Sequence, residues 1–250
     1  MNTPLTDMTA LITGGGTGIG QAIALGMAAE GANVVVNYSR SETESIETVK
    51  QIEELGAQAI AVRADVTQSD AVQGLVDTAI AAFDRVDILV NNAGGVFGKQ
   101  PIWEMPDEVW DKTVALNLRA VFLCSKAVIP QLPDGKGRII NITSISAFSG
   151  KGGAAYGPSK AAVGAMTRDM ANVLGPRGIT ANAIAPGIID TRIHREGTPP
   201  DEYKALIDRI PVGRDGKVHD VAGIAVFLAS EAGGFISGDT IHVNGGMLMV

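Results

Sequence analysis

The chain has 250 residues, 46% hydrophobic and 19% charged, enough apolar material for a sizeable α/β core and too much for disorder. A net charge of −7 without a long Lys/Arg run argues against nucleic-acid binding. One cysteine, Cys124, excludes an intrachain disulfide, and with three scattered histidines it gives no metal-ligand spacing. Residues 1–8 are polar and lack a signal-peptide pattern, and no uninterrupted apolar run has the length of a membrane span. A cytoplasmic protein, neither nucleic-acid-bound nor membrane-bound, is expected.

The predicted elements alternate along the chain. Thr9–Thr13 is a short apolar strand running into a glycine turn, Thr13-Gly14-Gly15-Gly16-Thr17-Gly18-Ile19-Gly20. Gly18–Glu30 reads as a helix ended by Gly31. Asn33–Asn37 is a β-branched run that suits a buried parallel strand. A helix over Glu42–Leu55 stops at Gly56. Gln58–Arg63 is a strand and Ser69–Phe83 a helix with Ser69 as its N-cap. Asp87–Val90 is the fourth strand, ending in Asn91-Asn92-Ala93-Gly94. A long helix over Pro106–Ile129 precedes strand Arg138–Thr143. Ala154–Leu174 is a second long helix, followed by strand Ile179–Ala185. Helix His219–Ala229 and strand Thr240–Val243 close the pattern. Such alternation predicts a Rossmann-type, doubly wound parallel sheet in a single domain, with helices on both faces.

Tyr156 and Lys160 stand one helical turn apart, on the same face. The ammonium favours the phenolate, so the tyrosine hydroxyl becomes a better acid. Ser144, twelve positions upstream of Tyr156, supplies a hydroxyl for the oxygen under attack. That trio suits proton transfer to or from a carbonyl or alcohol oxygen. Glycines at the first βα turn let the backbone approach a pyrophosphate, and the helix N-terminus offers N–H groups to its charge. Asp65 follows the third strand and suits either a helix cap or a nucleotide contact. Asn117 lies inside a helix among Val114, Leu116, Leu118 and Val121, as a satisfied core amide or as part of a proton relay. Pro186-Gly187 ends the sixth strand.

Taken in order, these residues resemble the short-chain dehydrogenase/reductase superfamily over essentially the whole chain. The resemblance implies a catalytic tetrad of Asn117, Ser144, Tyr156 and Lys160, with Asn117 positioning a water that reloads the proton. It implies a cofactor pyrophosphate held by Gly14, Gly16, Thr17, Gly18, Ile19 and Gly20. Asp65 and Val66 would lie at the adenine, and Asn92, Ala93 and Gly94 along the adenosine ribose. Pro186, Gly187, Ile189 and Thr191 would meet the nicotinamide end, and Lys160 its ribose. Eleven residues separate Ser144 from Tyr156 where twelve are common in the family. The difference leaves the helix phase alone but keeps Thr143 and Ser146 in view as alternatives to Ser144.

At the end of the second strand an acid usually binds the ribose 2′-hydroxyl of NAD. Tyr38 stands there instead, with Ser39 and Arg40 suited to a 2′-phosphate, which favours NADP(H) over NAD(H). The C-terminal third is similar to 3-oxoacyl-carrier-protein reductases through Arg209-Ile210-Pro211-Val212-Gly213-Arg214 and His242-Val243-Asn244-Gly245-Gly246-Met247. That similarity implies reduction of a 3-oxoacyl ketone, and an acyl carrier protein as partner. Residues 131–136, where such reductases carry basic residues, hold only Lys136, while Arg177 matches a second basic position. A sugar, polyol or small-alcohol dehydrogenase is the alternative, and a non-catalytic nucleotide sensor or a structural oligomer subunit the non-enzyme ones. The resemblance also implies a homotetramer, to which Ala120, Val121, Phe122, Val163, Ala165 and Met166 would contribute. Ile188–Gly216 follows a strand's carboxyl end and is expected to form a substrate lid, with an amphipathic helix over Asp201–Ile210 and with Ile193 and Leu206 setting substrate choice.

Overall fold

The structure is a computed structural model and describes residues 4–192 and 198–250. Its strands are β1 (Thr9–Ile12), β2 (Asn33–Tyr38), β3 (Ala59–Arg63), β4 (Ile88–Asn91), β5 (Arg138–Ile142), β6 (Thr180–Pro186) and β7 (Thr240–Val243). They form one sheet in the order β3-β2-β1-β4-β5-β6-β7, parallel throughout. The strand order reverses between β1 and β4, so the carboxyl ends of those strands open a crevice suited to a ligand.

The helices are α1 (Gly18–Ala29), α2 (Glu42–Glu54), α3 (Ser69–Phe83), α4 (Asp107–Val114), α5 (Ala120–Val128), α6 (Ser146–Ser149), α7 (Gly153–Leu174), α8 (Pro200–Ile207) and α9 (Val218–Ala229). Strand residues alternate between two cores. Ala10, Ile12, Val34, Val36, Ile140 and Ile142 pack with α1, α2 and α9, while Leu11, Val35, Leu89 and Ile139 pack with α3, α5 and α7. Each buried Ile or Leu contributes about 1.5–3 kcal/mol, so a one-residue register slip, which exchanges the faces, is strongly disfavoured.

Some expectations are corrected. Ser69 is the first residue of α3 and Gln68 precedes it as the cap, because Asp65 closes the preceding turn by accepting hydrogen bonds from Thr67 N and Oγ1, at 3.0 and 2.7 Å. Residues Asp107–Gln131 form one continuous helical stretch, long and apolar enough to cross a membrane, with a mean hydropathy of 1.3. That stretch packs Ala120, Leu123, Cys124 and Val128 against the sheet, which accounts for its apolar character. Burial alone pushes the Cys124 thiol up to about 12, as suits an inert core residue. Ala120, Val121 and Val163, assigned to a subunit interface, lie in the interior. Phe122 and Ala165 are exposed and Met166 half-buried.

The excursion after β6 begins with Ile189 pairing Gly216 in an isolated parallel bridge. Lys217 bonds Asp190 at 3.2 Å and Asp215 at 3.0 Å, and the Tyr203 hydroxyl donates to Asp215 at 2.8 Å. Helix α8 holds no buried residue. It ends at Ile207 rather than at the expected Ile210, which lies beyond it, buried against the backbone of Gly245. Ile193 lies outside the described residues.

Candidate active site

The structure brings the candidate residues to the carboxyl edge of the sheet. The glycine turn joins β1 to α1, and Asn92, Ala93 and Gly94 follow β4 beside it. Gly14 takes a φ of +61°, and a Cβ on it would meet Asn92 Nδ2 at 3.2 Å and the Ala93 backbone at 3.3 Å. A Cβ on Gly20 would strike the Gly14 carbonyl oxygen at 2.2 Å, so only glycine lets the helix start this close to the turn. The Asn92 amide donates to the carbonyls of Thr13 and Gly14, at 2.9 and 3.1 Å. Its side chain thus ties the turn together, and Ala93 N donates beside it to Thr13 Oγ1 at 3.0 Å. Gly16 abuts Ser45 of α2, where a Cβ would stand 2.0 Å from Ser45 Oγ.

Other candidates are committed elsewhere. Val66 and Ile189 are buried within the two cores, so only their main chains are free to face a ligand. One carboxylate oxygen of Asp65 holds Thr67. Pro186 accepts a hydrogen bond from Ile145 N at 3.0 Å, and Gly187 packs on Asn244 so closely that a Cβ would lie 2.7 Å from that side chain. Thr191 reaches back toward the glycine turn, its Cγ2 3.8 Å from a Cβ placed on Gly18. Tyr38, Ser39 and Arg40 end β2 at the far side of the crevice, the last two exposed.

The proton-transfer groups meet between β4, β5 and α7. Thr143 donates its hydroxyl to the Ile184 carbonyl at 2.8 Å and is buried, so it is not free to meet a substrate. Ser144 Oγ accepts from Ser146 N at 3.1 Å and hydrogen-bonds Tyr156. Gly152 and Gly153, both with positive φ, start α7 tightly against Ser146 and the backbone of Lys99, which fixes Tyr156 in the first turn. Burial raises the pKa of Tyr156, and the Ser144 bond lowers it in part. The Lys160 ammonium donates to the Ile142 carbonyl at 2.8 Å and stands 5.8 Å from the centre of the Tyr156 ring. Burial pulls its own pKa down to about 8.

Asn117 sits in a π-helical turn, Ala115–Arg119, between α4 and α5, a local widening often found at functional sites. Its Nδ2 donates to Gly95 O at 2.8 Å and Thr113 O at 2.9 Å, and its Oδ1 accepts from Gly95 N at 3.1 Å. The side-chain amide is fully hydrogen-bonded, and it clips the β4 loop to the helix. A Cβ on Gly94 would stand 2.9 Å from Asn117 Oδ1 and 3.2 Å from Lys160 Nζ, so these groups converge on one point of backbone.

A family profile described as enoyl-(acyl carrier protein) reductase matches residues 14–248. The chain is 43% identical over 250 residues to a 3-oxoacyl-acyl-carrier-protein reductase of Synechocystis sp., covering 99% of both chains. It is 40% identical over 245 residues to one of Staphylococcus epidermidis, covering 97% of this chain and all of the relative. The chain belongs to the short-chain dehydrogenase/reductase superfamily. Two solved proteins of similar structure are a blue fluorescent protein from a metagenomic library in complex with NADPH and a short-chain dehydrogenase from Burkholderia cenocepacia in complex with NADP. The first has a TM-score of 0.92 and 36% identity over 98% of this chain and all of its own. The second has a TM-score of 0.91 and 38% identity over 98% and 99%.

As a short-chain dehydrogenase/reductase, the protein is an NAD(P)-dependent oxidoreductase acting on CH–OH and C=O groups. Its sequence hid one layer of this site. Asn91 donates to Asn141 Oδ1 at 2.8 Å and Ser125 Oγ at 3.2 Å, and Asn141 donates to Thr167 Oγ1 at 2.9 Å. This buried ladder locks β4, β5 and α7 together beneath the reacting groups. Asn141 and Thr167 lie inside an apolar strand and a helix, and no spacing rule joins them.

Proposed function

We propose that the protein reduces a 3-oxoacyl ketone to a secondary alcohol, or runs the reverse reaction, with NADP(H). The convergence of Ser144, Tyr156 and Lys160 at the carboxyl end of β5, beside the glycine turn, carries this reading. The crevice fits a dinucleotide. Gly18 takes a φ of +57° with open space around it apart from Thr191, and α1 starts without a side-chain cap on its N–H groups. Bound there, a reduced nicotinamide supplies the hydride. Ser144 Oγ and the Tyr156 hydroxyl hold the substrate's carbonyl oxygen, and Tyr156 delivers the proton to it. The Lys160 ammonium has donors to spare beyond the Ile142 carbonyl and orients the ribose hydroxyls. Asn117 acts by fixing Gly95 and the backbone around Gly94, and its main chain positions the water that reloads the proton.

The acyl group arrives as a small thioester or keto ester in this proposal, with a carrier protein the less favoured partner. Arg177, the basic position matched to carrier docking, donates to Asp134 Oδ1, Ile129 O and Leu132 O at 2.8, 3.2 and 2.7 Å, so its guanidinium is occupied. A homotetramer is part of the same reading, supported by exposed Phe122 on α5 and Val173 on α7. So are a cytoplasmic location and a lid over Ile188–Gly216. The deciding experiment follows NADPH absorbance with 3-oxoacyl thioesters, β-keto esters, sugars and diketones. Turnover of the first two classes is expected. Turnover confined to sugars or small alcohols would move the assignment to the alternative class, and no turnover at all would point to a nucleotide sensor.

A further inference from the structure

We propose that the hydrogen bond between Tyr38 and Glu42, together with Arg63, sets the preference for a phosphorylated dinucleotide. This rests on the reading that NADP(H) is the cofactor. An acid at the end of β2 takes the ribose 2′-hydroxyl of the unphosphorylated cofactor, and here the nearest acid is Glu42, in the first turn of α2. Tyr38 is 7% exposed, so its ring is fixed in place. Its hydroxyl donates to Glu42 Oε1 at 3.2 Å. The carboxylate is therefore held on the α2 side of Tyr38 and kept from the 2′ position.

Two cations also border this corner. Tyr38 pairs in register with Arg63 of β3, so the two side chains leave the same face of the sheet. Burial and the Glu42 carboxylate raise the pKa of Tyr38, and the charge of Arg63 offsets this in part. Arg40 follows two residues after Tyr38 and is exposed. Neither guanidinium makes a hydrogen bond or ion pair among the described residues. The remaining acids nearby are Asp65, occupied with Thr67, and Glu44, on the exposed first turn of α2. A 2′-phosphate in this corner would meet two unpaired cations while the closest carboxylate is turned away. Released, Glu42 would repel that phosphate and accept a bond from a 2′-hydroxyl instead. Tyr38 is thus a positioning residue that acts through Glu42, and Arg63 is a direct phosphate ligand that the sequence did not disclose.

The test is equilibrium binding of NADPH and NADH to the full-length protein and to Tyr38→Phe, Glu42→Gln, the double variant and Arg63→Ala. Tyr38→Phe should lower the NADPH-to-NADH affinity ratio by about tenfold. In the Glu42→Gln background the same change should leave the ratio where it was. Arg63→Ala should weaken NADPH by about tenfold and spare NADH. An unchanged ratio in Tyr38→Phe, or an equal fall in both backgrounds, overturns the Tyr38–Glu42 device, and unchanged NADPH affinity in Arg63→Ala removes Arg63. If the unaltered protein binds NADH more tightly, the cofactor reading itself has failed, which is a separate result.

Discussion

Helix α7 and the Ile188–Gly216 segment border the same crevice and are built in opposite ways. Helix α7 runs for 22 residues, with Ser159, Lys160, Val163, Thr167 and Met170 buried. Thr167 anchors it to β5 through Asn141. Helix α8 of that segment holds no fully buried residue and is tethered at its base by the Ile189–Gly216 bridge, the Tyr203–Asp215 bond and the Lys217 ion pairs. Low burial of this kind marks structure that opens at small cost. In the proposed reading the difference separates two tasks: proton transfer needs groups held to fractions of an ångström, whereas admitting and enclosing a substrate needs a segment able to move.

The largest expected effect tests the rigid half. Tyr156→Phe should lower kcat by about 10²–10⁴-fold, the usual range for removing a general acid, while NADPH affinity by fluorescence titration stays close to that of the parent. A Phe variant with near-normal turnover would mean that Tyr156 is not the acid.

Lys160→Met should also abolish turnover, yet raise stability, because α7 buries that ammonium without a counter-ion among the described residues. The folded-state pKa is about 8 against an ordinary 10.5. Between those values the unfolded chain binds more protons, so the stability of the parent protein rises with pH across that window. The penalty is complete below pH 8 and amounts to about 3 kcal/mol, from which the lost Ile142 bond must be subtracted. Urea unfolding at pH 7 and pH 10 checks the sign: the variant should lead at pH 7, and its lead should shrink at pH 10. A variant less stable at pH 7 would show that the lysine stabilises the fold.

Gly94→Ala probes the point where the rigid parts converge. The added methyl presses on Asn117 Oδ1 and Lys160 Nζ, and kcat/KM should fall by roughly 10²-fold, as small misplacements of reacting groups do, with little change in Tm. Full activity would show that the crevice yields more readily than its buried ladder implies.

The smallest effect belongs to the segment. Leu206→Ala in α8 should change the ranking of short and long 3-oxoacyl substrates by roughly tenfold while leaving Tm unaltered. Hydrogen exchange in residues 198–210 should slow when NADPH and substrate are bound. Unchanged ranking with unchanged exchange would make α8 a static surface element and remove the contrast with α7.

Much of this was legible before any coordinates. The βα alternation emerges from apolar runs punctuated by glycine, and α3 and β7 have the predicted limits because breakers or polar residues flank them. The glycine turn, Ser144, Tyr156 and Lys160 were readable because local geometry controls them: a strand end, a helix start and a four-residue spacing. Contacts between distant segments were not. The Lys160 bond to the Ile142 carbonyl, eighteen residues away, is one of them. Asn117 was read as a polar misfit in an apolar helix, but its bonds to Gly95, twenty-two residues away, emerge only when the loop after β4 meets that helix.

The sequence by itself therefore determined the sheet, its two apolar faces and the edge at which chemistry takes place, since periodicity and glycine placement act over a few residues. Only the tertiary structure decided which side chains are available for that chemistry. Asn92, Thr143, Asp65 and Arg177 all carry polar groups suited to a site, yet each is occupied by a structural hydrogen bond. Availability depends on what else lies within 3 Å of a polar atom, and that is settled by how strands far apart in the chain come to lie side by side.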